Sequence, residues 1–264
     1  MATAAPGPAT AGTASGDALF ARYAFPPNEL GHCGPPGADL LLAGGAAGSV
    51  GSAGSGDPRL RERAVHFTGA LPYLRLLAET AGVGDLLDPG VVSAYWLGGA
   101  LLDEVEPAAV RAAVAAGFGS QPGVRDRLAA TPGPGAGASH TFHVFVVYPW
   151  VGLLGAGGDV ARSVLDSCRV RWGTVEWVGA ETAGIRSAPL SWDGRELGLG
   201  EARVRTCRWA RDRTAFVADL APGDTVALHW DWVCDRLRPE QSAELADRTG
   251  QQLAATNAWL ARRG

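Results

Sequence analysis

The sequence predicts an α+β protein, an N-terminal helical domain followed by a small β-barrel that ends in a C-terminal helix. Three observations carry this. Apolar residues recur at three- and four-residue spacing from Asp57 to about Ala130, as along one stripe of a helix. Beyond Thr141 they fall instead into short β-branched and aromatic runs divided by turns, the pattern of successive strands. Between the two lies Thr131-Pro-Gly-Pro-Gly-Ala-Gly-Ala-Ser139, whose prolines and glycines mark a linker.

Residues 1–17 are Ala, Gly, Thr, Pro and Ser with almost nothing to bury, which predicts a disordered tail. Order is expected from Ala18, where Leu19, Phe20 and Phe25 start a short helix that stops at Pro26-Pro27. His32-Cys33 follow in a loop flanked by glycine and proline on both sides, and the Gly/Ser/Ala stretch 44–57 reads as a flexible insert. Leu71, Leu74, Leu77 and Ala78 form one helical stripe, and Val92, Tyr95, Trp96 and Gly99 another. Pro107 opens a third helix at the position where the first turn tolerates proline. The helical domain therefore spans 18–130, and the barrel domain 140–264.

Within that second domain Thr141–Pro149 reads as a strand, and a short helix is expected over Asp159–Leu165. Strands follow at Arg169–Val178, Ala183–Ser187, Glu201–Arg208, Thr214–Ala218 and Thr225–Trp232. Turn signals such as Trp192-Asp193-Gly194 separate them. Five short strands closing on one another make a small barrel. The last helix, about Pro239–Arg262, carries Leu245, Leu253 and Leu260 on the side that packs back on it.

Composition removes several function classes. The chain has 264 residues and a net charge of −4, and all of its 23 basic residues are Arg. With a pI near 5.7 there is no basic surface for nucleic acid. No run of eighteen apolar residues exists, and the start lacks a secretory signal, so no membrane partner is expected and the compartment read from the sequence is the cytoplasm. Four cysteines, Cys33, Cys168, Cys207 and Cys234, are scattered without a CxxC pair and read as reduced thiols.

Chemistry concentrates in the stretch from Pro222 to Leu237. Pro222-Gly223-Asp224 is a turn, and strict alternation follows it. Val226, Leu228, Trp230 and Trp232 then share an apolar face. His229 and Asp231 fall on the other, pointing away from the core. A Gly-Asp turn leading into a hydrophobic strand that ends in His, then an acidic helix, resembles the C-terminal part of the HypC/HupF family. These are small chaperones that assemble the iron centre of nickel–iron hydrogenases. The matching residues are Gly223-Asp224, Thr225-Val-Ala-Leu-His229 and Arg238-Pro-Glu-Gln-Ser-Ala-Glu-Leu-Ala-Asp. The family's other signature, a Cys opening the first barrel strand, is matched by Cys168-Arg-Val-Arg-Trp-Gly173. The likeness covers about residues 165–250 and implies an OB-like barrel with a trailing helix.

The resemblance implies that Cys168 and His229 handle an iron carrying cyanide and carbon monoxide, with a hydrogenase large subunit or a HypD-like maturation protein as partner. Thiolate and imidazole suit such a metal. Two departures stand out. Cys168 is internal, so it offers no free amine, and Trp172 replaces the family's proline. The separation, 229 − 168 = 61 residues, is about ten longer than the resemblance implies, room for one hairpin near Trp192-Asp193-Gly194. His32, Cys33 and Asp231 are further candidate metal ligands, and Cys234 is a small buried residue.

His140 and His143 are spaced HxxH, which shares a face on a helix but not on a strand, so the strand reading argues against a common metal. Gly152–Asp159 fails the dinucleotide register, because Val160 stands where the third glycine belongs. Two further classes remain open: a Cys–His thiol enzyme with Asp231 orienting the imidazole, and an interaction module without chemistry.

Overall fold

The computed structural model describes residues 14–48, 57–130 and 137–262. The expected tail over 1–13, the insert over 49–56 and the linker over 131–136 lie outside the described residues. Mixed α+β architecture is present, with helices first and a sheet and closing helix last.

The first helix, α1 (Gly16–Glu29), starts inside the expected tail and runs through Pro26 and Pro27. Its early start has a cause. Asp17 is buried, and its carboxylate accepts from the Asp57 backbone N–H at 2.7 Å. The prolines sit in the last turn, where each deletes one backbone donor. Pro27 has no N–H for the carbonyl of Tyr23 four residues back.

Helices α2 (Asp39–Gly45), α3 (Pro58–Ala64), α4 (Leu71–Thr80), α5 (Pro89–Leu97), α6 (Leu101–Glu104), α7 (Pro107–Phe118) and α8 (Val124–Ala130) complete the helical half. Gly44-Gly45, read as part of a flexible insert, end α2 instead. Proline and Asp set two of the helix starts. Asp57 and Asp88 accept from the first-turn amides of α3 and α5, each followed by a proline at the first helical position. Both stripes read from the sequence face inward: Leu74, Leu77 and Ala78 of α4, and Val92, Tyr95 and Trp96 of α5, are buried.

The stretch read as a strand over Thr141–Pro149 is helical. Ser139 caps α9 (His140–Phe142) by accepting from Phe142 N–H at 3.2 Å. A π-helical turn at His143–Val147 and a 3₁₀ turn at Pro149–Leu153 follow, leading into α10 (Leu154–Cys168). Every residue of His140–Val147 is buried. A helix covered all round shows no 3.6-residue period, so its β-branched content reads as strand. Helix α10 is correspondingly twice the length expected around Asp159–Leu165.

Strands β1 (Arg171–Val178), β2 (Thr182–Ser187), β3 (Leu190–Trp192), β4 (Leu197–Leu199), β5 (Arg203–Arg208), β6 (Ala210–Arg211), β7 (Thr214–Ala215), β8 (Thr225–His229) and β9 (Trp232–Arg236) follow. Five of them pair in a closed ring, β1-β2-β5-β9-β8 and back to β1. All pairs are antiparallel except β5 with β9, joined in parallel at Arg208–Trp232. The extra hairpin β3–β4 stands at Trp192-Asp193-Gly194, the place that the long Cys-to-His spacing calls for. Val175, Ile185, Cys207, Val226, Leu228 and Val233 fill the ring. Gly173 lies where β1 presses on β2, and a Cβ there would come within 2.6 Å of the Arg186 carbonyl oxygen. Gly173→Ala is expected to lower the unfolding free energy by about 1–3 kcal/mol, read as an earlier urea midpoint, because backbone on both sides must shift. An unchanged midpoint would mean that the ring is loose there.

The expected break at 131–139 divides the two halves in sequence but not in packing. One buried cluster runs from Leu19, Phe25 and Trp96 through Val170, Ala227, Trp232 and Leu237 to Leu245. The last helix, α11 (Pro239–Leu260), seals both: Leu245 belongs to that cluster, Leu253 and Trp259 to a second one with Leu165 and Cys168.

Candidate metal centre

Thr225–Trp232 is not one strand but the two strands of a hairpin. His229 pairs with Trp232, and Trp230-Asp231 form the two-residue turn with φ of 48° and 56°. Both signs match a type I′ turn, which normally asks for Asn-Gly because side chains resist positive φ. Tertiary contacts hold it. Trp230 N–H donates to the Ser167 carbonyl at 2.9 Å, and the Asp231 carbonyl accepts from Arg208 N–H at 2.9 Å. The Asp231 carboxylate is gripped by Arg171 at 2.5 Å and Arg205 at 3.2 Å. Asp231 is thereby committed to arginines and orients no imidazole, against the role the sequence suggests for it.

His229 does not point away from the core. It is 1% exposed. Strand β8 is buried on both faces, Val226 and Leu228 inside the ring and Ala227 and His229 against the helical half. The strand alternates, yet its second face meets α1, not water. There His229 Nδ1 lies 2.7 Å from the Tyr23 carbonyl, the one that Pro27 leaves without its helical donor.

Three ligand atoms converge here. One each from His140, Cys168 and His229 lie within 4.8 Å of one another, and all three residues are buried. Cys168 is the last residue of α10, with Arg169 and Val170 between it and the start of β1. His229 ends β8, and His140 opens α9. The imidazole rings are 5.0 Å apart and nearly perpendicular. Among the sequence candidates, the structure brings Cys168 and His229 together. His140, set aside on the strand reading, joins them, while His143 turns elsewhere and meets the Tyr73 hydroxyl at 3.0 Å.

The hydrogen bonds fix which nitrogen of each ring keeps its lone pair. His229 Nδ1–H must donate to the Tyr23 carbonyl, leaving Nε2 basic, and that Nε2 is buried without a partner. His140 Nε2–H donates to the Cys168 carbonyl at 2.8 Å, leaving Nδ1, with only the Tyr95 hydroxyl 3.4 Å away. Imidazoles that ligate metals hold their second N–H on a carbonyl in this way. Burial acts on the titration of all three. It pulls His140 down to about 4 and His229 well below the usual imidazole range, with the neighbouring His140 adding to the latter. The Cys168 thiol is pushed far up by the same burial. Neutral imidazoles are the form that binds metal, and a cation displaces the thiol proton.

Over this trio sits a cover. His32 packs against Trp230 with ring centroids 4.1 Å apart and the planes tilted by 36°. Trp230 packs against the cluster that contains Cys168, and its other contacts line a surface groove with Pro26, Leu30, Cys207 and Arg208. Its indole N–H lies near enough to the Cys168 sulfur to favour the thiolate, although no hydrogen bond of ordinary geometry forms. Cys33, on the same loop as His32, is half-buried and pushed up to about 12 by burial. Neither His32 nor Cys33 belongs to the group of three. Cys234 is buried and donates to its neighbour Trp232's carbonyl at 3.5 Å.

A second buried group anchors the centre. Asp166, two residues before Cys168, accepts from Arg169 at 2.9 Å, Arg205 at 3.1 Å and the Leu190 N–H at 2.9 Å. Asp166, Arg169 and Arg171 are each at most 2% exposed. The sequence gives no sign of this network, since Asp and Arg three apart on a helix ordinarily form a solvated pair.

Among the described residues no helix is long and apolar enough to cross a membrane. Residues 12–263 match a family described as a family of unknown function, DUF6390. No curated protein and no solved structure matches the chain.

Proposed function

The chain belongs to the DUF6390 family, and we propose that it is an accessory factor for nickel–iron hydrogenase assembly that holds an iron unit as cargo. The observation that carries this reading is the convergence of Cys168, ahead of the first ring strand, with His229, at the end of the fourth. The HypC/HupF likeness puts its Cys and His at those two places. Support also comes from the ring order, first-second-third-fifth-fourth with a parallel third–fifth pair, which suits an OB-like barrel. Cys168 would supply the thiolate, and His229 Nε2 and His140 Nδ1 the nitrogen donors, a soft set fitted to iron, copper or zinc. The cargo brings cyanide and carbon monoxide; the chain's residues bind it, fix its orientation and keep water away. Because the trio is buried, delivery to a hydrogenase large subunit or a HypD-like partner requires the His32–Trp230 cover to move.

The thiol-enzyme alternative fares worse. A nucleophilic Cys needs a lowered thiol pKa and a base that can take its proton. Here burial opposes both the thiolate and the imidazolium.

Anaerobic purification with the host's hydrogenase partners should yield protein with infrared stretching bands of cyanide and carbon monoxide. Cys168→Ala should abolish them, and His229→Ala should weaken them less completely. Loss of neither band in Cys168→Ala, or no bands at all from wild type, sinks the assignment.

A further inference from the structure

Three protein ligands leave one position open on a four-coordinate metal, and more on an iron that carries both cyanide and carbon monoxide. What fills it is constrained by charge and by an orphan donor beside the two imidazoles. A divalent cation with one thiolate and two neutral imidazoles carries a net single positive charge. Burying that charge uncompensated is costly. Among the described residues no carboxylate hydrogen-bonds or pairs with His140, Cys168 or His229, and Arg171 adds positive potential at His229.

The donor is Trp96. Its ring packs 4.6 Å from the His140 ring and 5.5 Å from that of His229, so it lies against both nitrogen ligands. Its Nε1–H is buried with no acceptor. Buried indole N–H groups nearly always find one. Tyr23, stacked on the ring at 5.3 Å, holds it in place, and Tyr95 packs edge-on against it at 4.8 Å.

We infer that the open position takes a small exogenous anion that accepts a hydrogen bond from Trp96 Nε1, so that the protein holds a metal–anion unit and not a bare cation. This rests on the metal centre proposed above but not on hydrogenase as the destination. Cyanide-like anions fit the chemistry: one negative charge, a metal-binding end and an accepting end. The competing occupant is the Cys33 thiolate, which would supply the same charge from the covering loop.

Cobalt(II) is the probe, because its visible spectrum reports both thiolate number and coordination. Wild type should bind Co(II) with the charge-transfer intensity of one thiolate. Azide should then shift the visible bands and show a bound asymmetric stretch that moves in D₂O, as a donor N–H becomes N–D. Trp96→Phe keeps the ring but not the donor. It should leave Co(II) affinity within about twofold and weaken azide by about ten- to hundredfold, the value of one hydrogen bond to a charged acceptor. The D₂O shift tests the donor in wild type even if that variant folds poorly. An azide response absent in wild type, or equal in Trp96→Phe with no D₂O shift, overturns the inference. So does a two-thiolate spectrum that drops to one in Cys33→Ser. Failure of wild type to bind Co(II) at all removes the metal centre and the inference together. Anion binding without cyanide and carbon monoxide bands from the host leaves the inference standing and removes only the hydrogenase assignment.

Discussion

Asp166→Asn is expected to lower the unfolding free energy by about 3–5 kcal/mol, the range for removing one partner of a buried ion pair. Among the described residues the carboxylate is the one acid paired with Arg169, whose guanidinium is held on Asp166 at 2.9 Å and the Ala188 carbonyl at 2.8 Å. Burial already drags Arg169 down to about 10 against the pull of Asp166. Without the acid, a buried cation faces Arg171 and Arg205 with no compensating charge nearer than Asp231. Asn also brings two N–H groups to a place ringed by donors. The double variant Asp166→Leu with Arg169→Met should recover part of the loss, since it removes charge and partner together. Urea unfolding of the three proteins checks this. A single-variant loss below about 1 kcal/mol would mean water reaches the network. The effect should spread to the metal centre. Asp166, the Ser167 carbonyl and Cys168 are consecutive, and they hold in turn the arginines, the Trp230 turn and His140. Co(II) affinity should therefore fall in Asp166→Asn although no ligand is altered.

Much of the helical half is legible because its helices lie on the surface of one core: α4 and α5 each show a stripe, and proline marks their starts. The ring strands are legible for the same reason, with turn residues at their ends. What escapes is whatever is buried on every side. Residues 141–147 are apolar all round, so composition favours strand and only Ser139, a cap, signals a helix. Once they are helical, His140 can stand at a helix start facing His229. The second face of β8 escapes too. Alternation shows two faces but not that the helical half covers the second. Two signals at the centre were present in the chain all the same. Pro27 strips a donor from the Tyr23 carbonyl, and HxxH places a histidine one residue after a cap. The Trp230-Asp231 turn carries no glycine or asparagine, so no local rule finds it; it exists because arginines and α10 hold it.

Acid should unfold this protein early, with stability falling from about pH 6.5 downward. His140, His143 and His229 are buried and neutral, and burial is the leading cause of depression in each. His140 drops to about 4 and His143 to about 3. The sign follows from proton counts. Between those values and 6.5 the unfolded chain binds protons that the folded chain refuses, so stability rises with pH there and is lost as pH falls. At pH 5 His140 and His143 each cost about 2 kcal/mol relative to neutral pH, from a reference value near 6.5. Those two together reach about 4 kcal/mol, a large share of the net stability of a typical domain, and His229 adds in the same direction. Carboxylates lowered by arginine, such as Asp85 and Asp103, act only below 3.8, outside this window. Asp235, raised by burial, works in the opposite direction and trims the loss. Urea unfolding at steps between pH 7.5 and 5.0 should give a slope approaching three protons. His143→Asn, away from the centre, should reduce that slope by one. A metal added at neutral pH should raise the starting stability and steepen the fall, because His140 and His229 must release it to protonate. An unfolding free energy constant from pH 7.5 to 5.0 would mean that these imidazoles are reached by water, and the enclosed centre would have to be abandoned with them.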